Sequence, residues 1–247
     1  VSIGPVPIRW YSLAYIAGLI LGYLWVRANL QRTQTVQARA MDDLFLWIII
    51  GVVAGGRIGS VLFYGFQQDP VRYLSDPMAW LSVWDGGMSF HGGFLGVLLA
   101  VIIWSRFNRG TRFWEVTDML AISAPIGLFF GRIANFINGE LYGRPTDLPW
   151  AMRFPTYGPT GLRDQWTEPR HPSQLYESFL EGLVLLVLLN LAWRNRVIRA
   201  HAGMVTGGFI AGYGFFRFMV EFVRKPDNGI EAGFFKFAGL GGLTTGQ

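Results

Sequence analysis

Apolar residues along this chain fall into six long runs, and polar residues gather between the runs instead of alternating with them. The runs cover residues 8–26, 44–66, 91–104, 116–137, 173–193 and 203–223. Most of them approach the ~20 residues that a helix needs to cross a bilayer, and the third is the shortest. The pattern predicts an all-α, polytopic membrane protein: a helical bundle of six spans that forms a single integral membrane domain over residues 1–247.

Composition supports this class of protein. Hydrophobic residues make up 51% of the 247 residues and charged residues only 15%, and the mean hydropathy is +0.33. A single soluble core does not hide that much apolar surface. The chain has no cysteine, which excludes disulfides, thiolate metal sites and a thiol nucleophile of its own. Its three histidines lie far apart without metal-site spacing, so we expect neither a metal nor a cofactor.

Charge in the loops predicts the orientation. The loops after the first, third and fifth runs carry Arg27, Arg32, Arg39, Arg106, Arg109, Arg112, Arg194, Arg196 and Arg199. By the positive-inside rule these loops face the cytoplasm, so the net charge of +5 does not require a nucleic-acid partner. The other two loops mix both signs of charge and belong outside. The longer one, residues 138–172, is rich in proline and lacks helical periodicity, which predicts a small periplasmic cap between the fourth and fifth spans.

Residues 131–143, GRIANFINGELYG, place charged and amide side chains where the fourth run ends. A cation at membrane depth costs at least ~2.5 kcal/mol, so Arg132 needs a partner, and an anionic lipid headgroup is available there. Arg132 and Asn135 are spaced i, i+3 on one helical face, and a guanidinium with an amide binds phosphate oxygens well. Asn138 and Gly139 mark the helix end. An arginine that merely snorkels to the interface is the alternative, which the other polar groups of the segment weaken.

The sixth run carries a polar stripe. Its members, at i, i+4, i+8 and i+11, are Tyr213, Arg217, Glu221 and Arg224. This spacing places them on one face of a helix, where they line something polar. Two interpretations explain Arg217 and Glu221 equally well. They form a structural ion pair that fixes the helix in the bundle, or they belong to a functional site. Arg224 adds a second cation to the stripe and favours an anion site.

Histidine and carboxylate side chains near the third and fifth runs leave two interpretations open. His91, flanked by glycines, is suited to accept a proton at the membrane boundary, or to hold a neighbouring loop. In RHPSQLYE, residues 170–177, Ser173 is expected to cap the fifth span. Gln174, Glu177 and Glu181 form a row that faces the bundle, for which we favour a structural role.

Small residues in the second run predict close helix packing. Glycines recur every four residues, at Gly51, Gly55 and Gly59. Arg57, between them, is most simply a buried partner for an acid such as Glu177 or Glu181. With the orientation above, the polar groups of runs three to six gather at the outer membrane face, where a headgroup of the outer leaflet lies.

Four motifs in this order resemble the bacterial phosphatidylglycerol-prolipoprotein diacylglyceryl transferase family. They are WDGGMSFHGG, GRIANFINGELYG, RHPSQLYE and GYGFFRFMVEFVRKPD, and the likeness extends from SIGPVPIRWY near the start to Gln247. The resemblance implies transfer of a diacylglyceryl group from phosphatidylglycerol to the lipobox cysteine of a prolipoprotein, with release of glycerol phosphate. It also implies a site open to the periplasmic side of the inner membrane. Family members normally have seven spans, so this chain is expected to be either truncated or without the last helix.

The resemblance also implies roles for individual residues. It assigns catalysis to Arg132, Arg217, His91 and Glu140. It assigns substrate binding to Asn135, Gly143, Tyr11, Glu221 and Arg224. Their place in the GRIANFINGELYG segment and in the polar stripe adds Asn138 and Tyr213 to the expected substrate-binding residues. The attacking thiol would come from the prolipoprotein signal peptide, in agreement with a chain that has no cysteine.

Two other classes of protein compete with this interpretation. A membrane transporter of an anionic solute or lipid would also place arginines inside the bilayer, but it should show polar groups through the midplane of several helices and internal repeats. Here only Arg57 and the inward parts of two helices qualify. A noncatalytic lipid-binding scaffold would tolerate the loss of Asn135 and Glu140.

Overall fold

The computed structural model of the protein describes residues 2–3, 6–7, 10–33, 38–82, 87–108, 112–157 and 163–225. Most of these residues are helical, which confirms the predicted class in its coarse form. The chain forms two compact units. One unit consists of Val1–Val26 with Asp118–Gln247, and the other of Arg27–Thr117. The prediction of one integral membrane domain concerns the whole chain and stays a prediction.

The described part of the unit Arg27–Thr117 includes two long helices and three short ones. Its elements are α2 (Ala38–Ser60), the π-helical turn π1 (Val61–Gly65), α3 (Phe66–Gln68), α4 (Pro70–Ser75), α5 (Met78–Leu81) and α6 (Phe90–Phe107). The first three follow one another without a break. Ser89 precedes α6 and its hydroxyl accepts a hydrogen bond from the amide of Gly92 at 3.2 Å. This N-cap explains why the helix begins beside His91.

Glycines let α2 and α6 approach each other closely. A Cβ added to Gly51 would lie 2.6 Å from the carbonyl oxygen of Gly96, and one added to Gly59 would lie 2.5 Å from the Cα of Gly92. Real Cβ atoms do not tolerate such contacts. The predicted role of the glycine spacing is therefore confirmed.

Arg57 projects from α2 and is buried. Its Nη2 donates to the carbonyl of Ala79 at 2.6 Å and its Nε to that of Trp80 at 3.3 Å. Both carbonyls belong to α5, and the last carbonyls of a helix have no intrahelical partner. The end of α5 thus binds the arginine within its own unit, and the pairing of Arg57 with Glu177 or Glu181 stays a prediction.

The other unit brings several helices against one central helix. Its elements are β1 (Ser2–Ile3), β2 (Val6–Pro7), most of α1 (Trp10–Thr33), the end of α7 (Phe113–Ala121), α8 (Ala124–Asn138), β3 (Pro155–Tyr157), β4 (Arg163–Trp166), α9 (Ser173–Glu177), the π-helix π2 (Ser178–Val184), α10 (Leu185–Arg194), α11 (Arg196–Ala200) and α12 (Met204–Glu221). The continuous stretch from α9 through π2 to α10 is the central helix. Both α8 and α12 pack against it, so residues on these two helices can meet across it.

The central helix buries polar side chains at its start and exposes apolar side chains farther along. Its buried side chains at the start are Ser173, Gln174, Glu177, Ser178 and Glu181. Farther along, Val187, Leu188 and Leu191 are 50%, 51% and 55% exposed. A soluble protein rarely shows this arrangement, whereas lipid covers exposed apolar side chains and drives ionisable groups into the bundle.

The segment between α8 and α9 carries strands and bends. β3 pairs with β4 in antiparallel register, and isolated bridges join Pro145 and Met152 to Arg170. Within residues 139–157 and 163–172 the structure places no helix. These described residues are therefore non-helical, as the lack of helical periodicity in their sequence indicated.

Three helical stretches within the described residues are long and apolar enough to cross a bilayer. They are Ala40–Gln68, Phe113–Asn138 and Ser173–Arg194, and two shorter apolar helices cover Ile16–Asn29 and His91–Phe107. The three long stretches correspond to the second, fourth and fifth predicted spans, and α12 occupies the sixth. The chain is thus a helical membrane protein.

Candidate active site

The end of α8 positions the first functional side chains. The helix ends at Asn138, and Gly139 follows in the left-handed conformation with a φ of 69°. Glycine adopts this conformation without strain, and the prediction that these two residues mark the helix end is confirmed. Arg132 and Asn135 lie on the last two turns and face inward, because Asn135 is 4% exposed and the Arg132 side chain 17% exposed.

Arg132 contacts two buried carboxylates of the central helix. Its Nε lies 2.6 Å from Oε2 of Glu177, and its Nη2 lies 3.8 Å from Oε2 of Glu181. Both glutamates are 0% exposed. Since Nε and Nη2 form one edge of the guanidinium, that edge of Arg132 faces the glutamate pair.

Arg217 on α12 reaches the same carboxylate from another direction. Its Nη1 lies 3.7 Å from Oε2 of Glu177, and its Nη2 lies 2.8 Å from Oε2 of Glu221. The predicted Arg217–Glu221 pair is confirmed. The two arginines from α8 and α12 therefore meet at one oxygen atom of Glu177.

A hydrogen-bonded loop follows α8. Oε1 of Glu140 accepts hydrogen bonds from Nδ2 of Asn135 at 3.0 Å and from Nδ2 of Asn138 at 3.2 Å. The backbone carbonyl of Glu140 accepts a hydrogen bond from Nε2 of Gln174 at 2.6 Å. Three of the predicted site residues are thus brought together, and the loop is tied to the start of the central helix.

Ser173 shows a different contact from the one expected. The residue before α9 is Pro172, which provides no side-chain cap. The hydroxyl of Ser173 donates to the carbonyl of Leu141 at 3.1 Å. The prediction that Ser173 caps the helix is wrong, because its hydroxyl binds the site loop instead.

Gly143 connects the loop to the end of α12. It forms a β-bridge with Arg224, and its amide donates to the carbonyl of His171 at 2.9 Å. A Cβ at this position would lie 2.5 Å from the carbonyl oxygen of Val223 and 2.7 Å from Cβ of His171. Arg144 adds a hydrogen bond from its Nε to the carbonyl of Arg224 at 2.8 Å. The glycine is therefore required by backbone packing.

The predicted site residues Tyr213, His91 and Tyr11 lie on three different helices. Tyr213 stacks on Phe209 in α12, with an interplanar angle of 16°. His91 is exposed at the start of α6, in the other unit. Tyr11 lies in α1, but its side chain falls outside the described residues.

The sequence pattern identified Glu177 and Glu181 but did not predict their contacts with Arg132 and Arg217. The two glutamates were recognisable as two acids spaced i, i+4 within an apolar run. Periodicity shows that they share a face, but not which neighbouring helix that face meets. Guanidinium and amide donors that lie this near one another are suited to an anion with several oxygen atoms.

Comparison with known proteins agrees with this chemistry. The family model described as prolipoprotein diacylglyceryl transferase matches residues 1–247. A phosphatidylglycerol-prolipoprotein diacylglyceryl transferase of Paramagnetospirillum magneticum is 50% identical over 248 residues, which cover 100% of this chain and 85% of the relative. A protein of the same name from Allorhizobium ampelinum is 51% identical over 233 residues, covering 92% and 77%. Another from Methylococcus capsulatus is 48% identical over 250 residues, covering 100% and 87%.

Proposed function

This chain belongs to the prolipoprotein diacylglyceryl transferase family, and from that premise we propose how its buried charges perform the reaction. The enzyme transfers the diacylglyceryl group of phosphatidylglycerol to the lipobox cysteine thiol of a prolipoprotein. A thioether forms and glycerol phosphate leaves. This is the first step of bacterial lipoprotein maturation.

Arg132 and Arg217 are the residues that we assign to the phosphate of phosphatidylglycerol. One observation carries this assignment: Oε2 of Glu177 lies 2.6 Å from Arg132 and 3.7 Å from Arg217. Guanidinium groups held side by side present several donors in fixed directions, which match the oxygens of a phosphate.

The reaction places its main electrostatic demand on the leaving group. The thiol sulfur forms a bond to the glyceryl carbon, and the bond from that carbon to the phosphate oxygen breaks, with its electron pair going to the oxygen. Negative charge grows on the phosphate in the transition state, and fixed cations in a site that excludes water stabilise it strongly. Arg132 and Arg217 supply those cations.

The attacking thiol needs only modest activation. A free thiol with a pKa of ~8.5 is already a few per cent thiolate at neutral pH. A base that accepts its proton in the transition state completes the chemistry. His91 and a carboxylate of the site such as Glu140 are the two candidates for this base.

The remaining polar residues orient the substrates in this proposal. Residues assigned to headgroup binding are Asn135, Asn138, Gly143, Tyr11, Tyr213, Glu221 and Arg224. The hydrogen bonds around Glu140 and the backbone bridge between Gly143 and Arg224 support the assignment, because they fix the loop after α8 against the end of α12.

We further propose the topology that the sequence indicated. Six spans cross the bacterial inner membrane within one membrane domain, and residues 138–172 form a cap on the periplasmic side, where the site opens. The arginines of the three basic loops support this orientation. The long apolar helices and the strands of residues 138–172 are compatible with it.

The test of the function uses the purified chain in detergent micelles with phosphatidylglycerol and a lipobox peptide. We expect a diacylglyceryl thioether on the peptide and an equal amount of glycerol phosphate, both measured by mass spectrometry. A peptide with serine in place of the lipobox cysteine is the control and should give neither product. Failure of the cysteine peptide to form a thioether under these conditions would refute the proposal.

A further inference from the structure

Glu177 and Glu181 are buried carboxyl groups to which the proposed reaction assigns no role. Both are 0% exposed; Glu177 is the last residue of α9, and Glu181 lies within π2. In the described part of the chain, neither carboxylate oxygen of Glu181 accepts a hydrogen bond. Carboxylates in such surroundings are costly unless a cation compensates for them.

Glu177 is placed to control the distance between the two arginines. Its Oε2 lies 2.6 Å from Nε of Arg132 and 3.7 Å from Nη1 of Arg217. Two guanidiniums this close repel each other in a medium of low dielectric, and a shared anion offsets the repulsion. Without that anion, the two guanidinium groups would be held side by side only while a phosphate is bound between them.

The same carboxylates compete with a phosphate. Arg132 is ion-paired with Glu177 and Glu181, and Arg217 with Glu177 and Glu221. A phosphate oxygen that approaches either arginine therefore meets carboxylates already in place. The affinity of the arginines for any phosphate is lowered by this negative charge.

The lower affinity of the arginines for phosphate has its largest effect on the product, glycerol phosphate. Phosphatidylglycerol is a phosphodiester with one negative charge, whereas glycerol phosphate is a monoester that carries between one and two at neutral pH. Two arginines alone would bind the product more tightly than the substrate, and turnover would stop at product release. A fixed carboxylate beside the arginines repels the more highly charged species more strongly.

We propose that Glu177 is a positioning residue that acts as an internal counter-anion. It holds Arg132 and Arg217 side by side before the lipid binds, and it lowers their affinity for the glycerol phosphate product. The inference rests on the proposed function, because it takes these arginines as the phosphate-binding groups.

The experiment measures kcat, KM and the inhibition constant of added glycerol phosphate for the full chain in micelles of phosphatidylglycerol. In Glu177→Gln we expect kcat to fall and the inhibition constant to fall with it, by at least about fivefold, which is the effect of one unit charge about 4 Å away in bulk water. Asp147→Asn removes a charge from an exposed position of the residue 138–172 segment and should change neither value. A purely structural role of Glu177 would lower kcat without tightening product binding.

Two further variants keep the test decisive if Glu177→Gln does not fold. Glu177→Asp keeps the charge and should retain the inhibition constant within about twofold. Glu181→Gln removes the carboxylate that lies 3.8 Å from Arg132 and should also tighten product binding, though less. Unchanged or weaker inhibition by glycerol phosphate in Glu177→Gln and Glu181→Gln would refute the proposed counter-anion role of Glu177. Absence of turnover in the unmodified chain would instead refute the proposed function itself.

Discussion

The carboxylate of Asp118 at the end of α7 caps α12 by accepting two hydrogen bonds from Thr206, one from its amide at 2.7 Å and one from its hydroxyl at 2.6 Å. The amide of Gly203 donates a third, at 2.7 Å. Asp118 is 1% exposed, and an anion at a helix N-terminus interacts favourably with the unpaired amides and the helix dipole. Since α12 carries Arg217, the site depends on an anchor at the opposite end of that helix.

Asp118→Asn should therefore destabilise the protein. The substitution turns one acceptor oxygen into an NH₂ group that faces N–H donors, and a buried donor without a partner costs about 1–3 kcal/mol. We expect a lower midpoint of thermal unfolding in detergent micelles. Asp147→Asn, at an exposed position, should leave the midpoint unchanged. Equal midpoints for both variants would contradict the capping role of Asp118.

Gly143→Ala tests the backbone bridge behind the site. The added methyl group would lie 2.5 Å from the carbonyl oxygen of Val223, so the loop and the end of α12 must separate. We expect activity to fall by about tenfold or more, because small displacements at a catalytic site have effects of this size. Gly214→Ala in α12, whose Cβ meets nothing within 4 Å in the described structure, is the matched control.

Gly59→Ala tests the packing of α2 on α6. Its Cβ would lie 2.5 Å from the Cα of Gly92, whereas a Cβ on Gly93 would lie 3.7 Å from the nearest atom, an ordinary contact. Overpacking of this kind costs about 1–3 kcal/mol. Thermal unfolding should show a lower midpoint for Gly59→Ala than for Gly93→Ala. The same midpoint in both variants would show that the two helices do not need this close approach.

Sequence patterns predicted local features well. The four-residue spacing of Gly51, Gly55 and Gly59 correctly indicated close helix packing, and Gly139 correctly indicated the end of α8. Both features depend on residues that are near in sequence. A helical period of 3.6 and the conformational freedom of glycine are enough to derive them.

Long-range partners were harder to predict. Glu177 and Glu181 were recognised as a row on one face, but their contact with Arg132 depends on which helix packs against that face. Ser173 and Arg57 show the same difficulty, because each bonds to a backbone carbonyl whose position only the fold determines. The π-helical turns π1 and π2 also shift the face that each residue presents, and a 3.6-residue period does not reveal them.

Arg132→Lys tests whether the site needs the several N–H donors of a guanidinium or only a positive charge at this position. Lysine keeps the charge, but its one ammonium group replaces an edge whose Nε lies 2.6 Å from Glu177 and whose Nη2 lies 3.8 Å from Glu181. We expect kcat/KM for thioether formation to fall by about 100-fold, the loss typical when one donor to a developing oxyanion is removed. Arg106→Lys, an exposed substitution at the end of α6, should retain full activity. If Arg132→Lys also kept activity within about twofold, charge alone would suffice at this position, and a bidentate role for Arg132 in binding the phosphate would be wrong.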